Sequence, residues 1–558
     1  MYIVRKYQKQ IDRFICSGNR GAYFRAWALL VVALATLGTL IFRLGAPAMN
    51  GRSWDTPIIL DGAWRIVNGQ VSHRDFYNYL GDLPFYMTAL GMKLGRPCVS
   101  AIDYGNVVLM AALVLPAMAV LRRRTSALAA FLFSLFIGLL VITPRPLGDP
   151  YDYIDHAMLY NRYGEAFIVL LGTIVFLPPR PGFGKRWADW AEAVLAGGVL
   201  VALLGCKLNY FVVGLGFFGV ACVMGRLRIG WMLLCLCGAA AFLAIALALS
   251  KIPLSDLVND YRIMSAGQRP GGKIHVLVIQ GLKSVVWLPV LLLPVWEGFL
   301  GEAERVDHRQ PAWRHILAIV AIFGGALLLL STNTQIGEMP LLGLAALYGA
   351  EMILRQPSAP AEAPFFVTVR HLGALLLVLL FLLPPILAGL KTIRFVTFAV
   401  MKKNWDSPEA LQSTRLNDFR FVRDEATRGT DSRAYMEELN EGIELLRRHA
   451  DPEMRLNALL FSNPYQVALG LRPASGGTVC LCRVGFTERS HPPLARLLGN
   501  ATHILTERGC KELKEVYGAE WDALHLQVVE QTGHFTLFKI PEGRAGQLDK
   551  AKMDGKAR

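Results

Sequence analysis

Acidic side chains in this chain gather in a few polar stretches between long apolar ones, and those stretches are where chemistry could occur. The first holds Trp54-Asp55-Thr56-Pro57 and then Arg74-Asp75-Phe76-Tyr77. The second reads Gly148-Asp149-Pro150-Tyr151-Asp152-Tyr153-Ile154-Asp155-His156 and runs on into Tyr160-Asn161-Arg162-Tyr163. Carboxylates displayed at a membrane surface suit proton transfer or ion traffic. Asp152 and Asp155 stand at i and i+3 and share a face if the segment is helical. With His156 they offer oxygen and imidazole ligands to a divalent metal. Each residue also has a plainer role. Asp55 before Thr56-Pro57 makes a good helix N-cap with proline in the first turn, and Asp75 beside Arg74 makes a loop ion pair. Trp54, Tyr77, Tyr79, Tyr151, Tyr153 and Tyr160 suit stacking on a ligand face and equally an interfacial aromatic belt.

The elements that must hold these residues are apolar. The chain of 558 residues is 53% hydrophobic and 18% charged, with a mean hydropathy of +0.38, which excludes disorder and an ordinary soluble enzyme. Runs such as 27–42, 131–142, 231–250 and 372–390 need a bilayer to satisfy them. The net charge of +15 is not a nucleic-acid footprint, because its Lys and Arg residues collect at the ends of these runs, as at Arg122, Arg123 and Arg124. The N-terminus reads as a basic cytoplasmic segment before a retained first helix.

The expected fold is an α-helical polytopic membrane protein with about eleven transmembrane helices, at 24–42, 104–121, 126–142, 164–177, 191–205, 210–224, 230–250, 284–300, 316–330, 340–354 and 372–390. Residues 1–23 form the cytoplasmic N-terminus, and 24–390 the membrane module, with outer loops at 43–103, 143–163 and 251–283. Within the first loop, 58–67 and 84–94 read as interfacial helices. The third loop carries a Pro270-Gly271-Gly272 turn. Residues 391–558 read as an extracytoplasmic α/β domain, with a helix at 433–448 and strands at 456–461, 501–506, 519–526 and 534–540 before a charged tail. Cys480 and Cys482, at i and i+2, are poorly placed to bridge each other, and Cys510 could meet one of them in an oxidising compartment.

The first outer loop, with Asp55, Asp61-Gly62, Gly69, Asp75-Phe76, Gly81 and Pro84-Phe85, resembles the corresponding loop of the GT-C superfamily. These are integral-membrane glycosyltransferases that use polyprenyl-phosphate sugars, among them protein mannosyltransferases and aminoarabinose transferases. The resemblance extends over the alternation of loops and helices through roughly residues 20–390. It implies that Asp55 is the catalytic base, with Thr56 where many relatives carry a second acid. It implies that the second loop adds a carboxylate from Asp149, Asp152 or Asp155. Arg162, Lys207 and Arg262 become the cations for the donor phosphate, and Asp75, Tyr160 and Asn161 the substrate contacts. The partners implied are a polyprenyl-phosphate-linked sugar donor, a glycan, lipid or protein acceptor of the cell envelope, and membrane lipids; nucleic acid is not among them. A divalent metal is compatible with the family and not required by it. The expected setting is a bacterial inner membrane with the C-terminal domain periplasmic or extracellular. A transporter or flippase of a lipid-linked or anionic substrate is the rival, and it predicts interrupted helices and charges at mid-membrane.

Overall fold

A computed structural model describes residues 20–49, 54–180, 186–267, 270–301, 312–333, 337–355, 364–402, 411–421, 432–482 and 486–541. The expected basic N-terminal segment at 1–19, the loop at 302–311, the linker at 356–363 and the tail at 542–558 lie outside them. The chain is a helical polytopic membrane protein. Its membrane part runs through α1 (Arg20–Leu44), α2 (Asp55–Val67), α3 (Leu83–Leu94), α4 (Ser100–Arg122), α5 (Ala127–Ile142), α6 (Leu159–Phe176), α7 (Arg186–Cys206), α8 (Leu208–Val223) and α9 (Ile229–Ser250). It continues with α10 (Leu254–Gly267), α11 (Pro270–Ser284), α12 (Trp287–Gly301), α13 (Ala312–Thr332), α14 (Leu341–Arg355) and α15 (Pro364–Lys402).

Among the described residues, six helices are long and apolar enough to cross a membrane, and a seventh arises if a bent pair counts as one span. The expected count of eleven is not confirmed on that measure; among the expected spans, α5 and α8 have only 16 residues each and α14 only 15. The exposed side chains of α9, including Leu233, Phe242 and Leu249, are stable against lipid and not against water. The third outer segment differs from expectation. It is not a loop with a turn but two helices, α10 and α11, and Pro270 opens α11 rather than ending anything, since proline at a first helical position leaves no bond unmade. The segments 274–284 and 287–294 then meet at a 60° bend, an interrupted helix that the sequence reading did not contain.

One end of the bundle is closed by arginines. Arg124 donates to Leu177 O at 2.7 Å and to both Glu192 oxygens at 2.7 Å. Arg355 reaches Arg124 O at 2.6 Å and Pro178 O at 2.9 Å, while Arg180 pairs with Glu351 at 2.9 Å. These cations satisfy carbonyls left open at helix C-termini, so the basic clusters at the run ends have a structural task as well as a topological one. The opposite end collects the N-termini of α2, α6, α8 and α14, and there the polar residues meet.

The C-terminal segment contains α16 (Ser432–His449), β1 (Leu456–Leu459), α17 (Tyr465–Leu469), α18 (Leu494–Leu498), β2 (His503–Glu507), α19 (Lys511–Tyr517), α20 (Ala519–Asp522), β3 (Gln527–Gln531) and β4 (Phe535–Lys539). The sheet order is β1-β2-β4-β3, with β1 and β2 parallel and the other pairs antiparallel. The strand expected at 519–526 is instead α20 followed by a turn, with Trp521 packed edge-on against Phe538. The edge strand β3 was missed because Gln527-Val528-Val529-Glu530-Gln531 is largely exposed and is held by pairing rather than by an apolar face. Cys510 does not approach Cys480 or Cys482: it hydrogen-bonds with Thr506 in a separate apolar cluster.

This segment docks on the first outer loop. Tyr77 forms an isolated parallel bridge with Thr478, and Trp64 Nε1 donates to Leu471 O at 2.9 Å. Fully buried Arg65 pairs with Asp61 at 3.1 Å and donates to Gly476 O at 2.9 Å. Gly476 and Gly477 adopt φ of +103° and +83°, and a Cβ on Gly477 would stand 2.6 Å from Asn457 Oδ1, so only glycine lets this strand edge approach the arginine. Farther out, His534 meets Glu441 at 2.5 Å. Its bond to Glu441 raises the His534 pKa above 6.5. For Glu441, burial pushes the pKa up, but bonds from Thr532 and His534 outweigh it and hold it below 4.5. The pair therefore stabilises between those values: the glutamate contribution is lost as pH falls through its lowered pKa, and the histidine contribution as pH rises through its raised one. His534→Ala is expected to cost about 0.2–1 kcal/mol near pH 6 and nothing near pH 9, read from denaturant melts.

Candidate active site

Asp55 is the first residue of α2 but does not cap it. Trp54 occupies the N-cap position without a side-chain cap bond. The Asp55 carboxylate turns outward instead and accepts the Met158 N–H at 2.7 Å. Met158 itself has φ +54°, a left-handed residue placed just before α6. That conformation is costly for a side chain bearing a Cβ, and here it presents the N–H to Asp55. The first two outer loops are thus joined through the carboxylate expected to act as the base.

Lys207 is the single residue between α7 and α8, extended at φ −173° and ψ 141°. Its ammonium donates to Asn333 Oδ1 at 2.7 Å and stands 4.9 Å from the Tyr160 ring centre. Asn209 holds Asn333 and Thr332 at 3.0 and 2.7 Å, so the end of α13 fixes the cation. Burial raises the Asp55 pKa, and the Met158 N–H and the Lys207 charge oppose that rise only in part. A carboxylate so placed is a stronger base than a solvated one, beside a cation that can meet an anion.

The roof over this centre comes from the C-terminal segment. The Tyr79 hydroxyl lies 2.8 Å from Cys482 Sγ, and the Trp54 ring meets Phe461 edge-on at 5.5 Å. Cys480 senses both Cys482 and Asp55, and its thiol is held well above its ordinary pKa, first by the bond with Cys482 and then by burial. Neither cysteine was a sequence candidate, and no spacing rule would have found them.

The other candidates separate. Arg162 is fully buried at 1% exposure. It lies two residues after Tyr160, and on a helix such positions do not share a face. Its electrostatic neighbours are Tyr163, Asp103, Asp155 and Arg145, not Asp55 or Lys207. Arg262 is exposed on α10, so the three cations expected at one phosphate occupy three places. Asp152 and Asp155 do not share a helical face, because 153–156 is irregular rather than helical; Asp152 is exposed, whereas Asp155 is buried and accepts the Ala157 N–H at 2.9 Å. Asp149 lies in the turn that Arg145 holds through the Asp149 carbonyl. Asp75 pairs with Arg74 at 2.6 Å and accepts the Val71 N–H at 2.8 Å, shaping its own loop. Asn161 is buried beside Arg162. Burial, then the Arg162 charge, lower the His156 pKa to about 3, so its imidazole is neutral at ordinary pH. Among the described residues, no group of three His, Cys, Asp or Glu side chains stands together as a metal site.

A second polar centre was not anticipated. Arg145 pairs with Glu338 at 2.8 Å, and both line a small cleft with Arg162 and Thr143, with water-accessible space of about 20 Å³. Thr143-Pro144-Arg145-Pro146 did carry a signal: an arginine at the outer end of an apolar run departs from the positive-inside bias.

No family model and no curated protein matches this chain. Solved structures do resemble it at low identity. The crystal structure of ArnT from Cupriavidus metallidurans in the apo state is 15% identical with a TM-score of 0.47, covering 93% of this chain and 98% of that one. The same protein bound to undecaprenyl phosphate gives 13% identity and a TM-score of 0.45 over the same shares. The archaeal oligosaccharyltransferase AglB from Archaeoglobus fulgidus, in complex with an inhibitory peptide and a dolichol-phosphate, gives 10% and 0.30 over 92% of this chain and 74% of that one.

Proposed function

We propose that this chain is a membrane glycosyltransferase of the GT-C type, moving a sugar from a polyprenyl-phosphate carrier to a hydroxyl of a cell-envelope glycan, lipid or protein. The observation that carries the reading is that Asp55, held by the Met158 N–H, lies within electrostatic reach of Lys207, whose ammonium stands over Tyr160, beneath the C-terminal segment. Asp55 takes the proton from the acceptor hydroxyl as its oxygen bonds to the anomeric carbon. The bond from that carbon to the carrier phosphate oxygen breaks in the same displacement, which inverts the centre. Negative charge then grows on the departing phosphate, and Lys207, poised over Tyr160, neutralises it. Tyr160 provides a face for the sugar ring. In this reading 391–558 is an outer domain and the membrane is a bacterial inner membrane, with the basic N-terminus cytoplasmic.

The test is transfer by purified protein in nanodiscs, offered radiolabelled polyprenyl-phosphate sugars and crude envelope acceptors. Lys207→Gln is expected to lower transfer about 10²–10³-fold, as removal of one charge-stabilising donor does, with the fold unchanged by circular dichroism. Wild-type activity in Lys207→Gln removes the phosphate role. The 60° interrupted helix favours one other reading, a flippase. Donor binding and translocation without chemical transfer would select it.

A further inference from the structure

We propose that Glu165 and Tyr210 are positioning residues for Lys207, acting through Asn333 to hold its ammonium against the departing carrier phosphate. Their consequence for turnover rests on the transferase reading; the placement of the ammonium does not.

Glu165 on α6 is 2% exposed and lies in the apolar run 164–177, and the displacement step makes no use of it. A carboxyl in such a run is costly, and residues of this kind usually have a task. Its Oε1 accepts from the Tyr210 hydroxyl of α8 at 3.3 Å, while its Oε2 meets no donor among the described residues. Tyr210 comes so near because residue 164 is glycine: a Cβ there would stand 2.5 Å from the Tyr210 ring. The Tyr210 oxygen in turn accepts from Asn333 Nδ2 at 3.2 Å, and Asn333 Oδ1 accepts from Lys207 at 2.7 Å. Three buried side chains thus run from α6 to the cation.

Backbone groups, which cannot exchange donor for acceptor, set the sense of these bonds. The Tyr210 N–H occupies Asn209 Oδ1 at 2.9 Å, so Asn209 turns its Nδ2 to Asn333 Oδ1 at 3.0 Å. The Tyr210 hydroxyl has the Asn161 carbonyl at 3.1 Å as well as Glu165 to receive its proton. Its oxygen is then left to accept from Asn333. An amide keeps nearly the same shape with its two ends exchanged. Turned round, Asn333 would set its NH2 against the Lys207 ammonium, donor against donor. Tyr210 opposes that turn. Glu165, an acceptor at the far end, polarises the chain and strengthens its last bond at Lys207.

Acetylation of Lys207 by acetic anhydride tests this in the full chain in nanodiscs, read by peptide mass spectrometry with exposed Lys251 as reference. Transfer kinetics are measured beside it. Tyr210→Phe and Glu165→Leu are each expected to speed Lys207 acetylation about two- to tenfold, the worth of one hydrogen bond. An ammonium that loses its acceptor yields free amine more readily. Each is expected to lower kcat by a similar factor with the donor KM little changed, because the phosphate charge grows only in the transition state. Glu165→Gln, whose amide oxygen still accepts from Tyr210, recovers most of both effects. In a Lys207→Gln background, Tyr210→Phe adds no further loss, as for residues acting through one another. Unchanged Lys207 acetylation in both Tyr210→Phe and Glu165→Leu overturns the proposal. So does a Tyr210→Phe loss in kcat that persists in full without Lys207. Faster acetylation in both variants, with no transfer even by the wild type, removes the transferase reading and leaves the positioning of Lys207 standing.

Discussion

Asp55→Asn is expected to abolish sugar transfer, by about 10²–10⁴-fold as for loss of a positioned general base, and to leave the protein at least as stable as the wild type. The two halves come from the same physics. Asparagine keeps an oxygen to accept the Met158 N–H, so the link between the outer loops survives. What it cannot do is take a proton. Burial raises the Asp55 pKa above 3.8 in the fold. A group whose pKa rises on folding stabilises only while protonated, and that benefit is lost as pH rises through the folded value. At neutral pH the ionised Asp55 therefore costs stability, and replacing it removes the cost. A residue with a purely structural role would show the reverse pattern, with a lower melting temperature and normal turnover. The acid limb of the wild-type pH–rate profile should fall at a pH above the ordinary aspartate value, and Asp55→Glu should keep the limb while lowering the rate. An Asp55→Asn protein that transfers sugar normally, or melts several degrees lower, would remove Asp55 from the mechanism.

Arg65→Met is expected to cost about 3–5 kcal/mol, the usual loss when one partner of a buried ion pair is left alone. Arg65 and Asp61 are both fully buried, 3.1 Å apart. Arg65 also binds the backbone at Ala474 and Gly476 and lies 5.3 Å from the Phe76 ring centre. Asp61 keeps Asn463 at 3.0 Å, which is too little to support a buried carboxylate. The expected readout is proteolytic release or faster hydrogen exchange of the C-terminal segment, with the membrane helices still protected. The double variant Asp61→Leu/Arg65→Met should recover much of the loss, because no charge is then left unpaired. Equal stability of wild type and Arg65→Met would show that the segment is held mainly by its apolar contacts.

The linear chain was informative wherever a property is local. Apolar runs located α1, α4, α5, α7, α8, α9 and α13 to within a few residues, since a lipid-facing helix must be apolar along its own length. The amphipathic spacing of α16 and the apolar strands β1, β2 and β4 were legible for the same reason. Reading failed where partners decide. Pro270-Gly271-Gly272 looks like a turn in isolation and is the first turn of α11. β3 has no apolar face and exists through its pairing with β4.

The same division runs through the site. Residue types and their position in outer loops singled out Asp55, Lys207, Tyr160 and Arg162. Only the tertiary structure gave Asp55 a Met158 partner in place of a cap, set Lys207 over Tyr160, and brought Cys480 and Cys482 over the same centre. It also put Arg162 on another face with Arg145 and Glu338. The sequence by itself determined a helical membrane body with polar loops, because hydropathy is summed along the chain. Which loop residues share a centre was left to the folded chain, because Coulomb interactions and hydrogen bonds depend on distances between segments that sequence order does not contain.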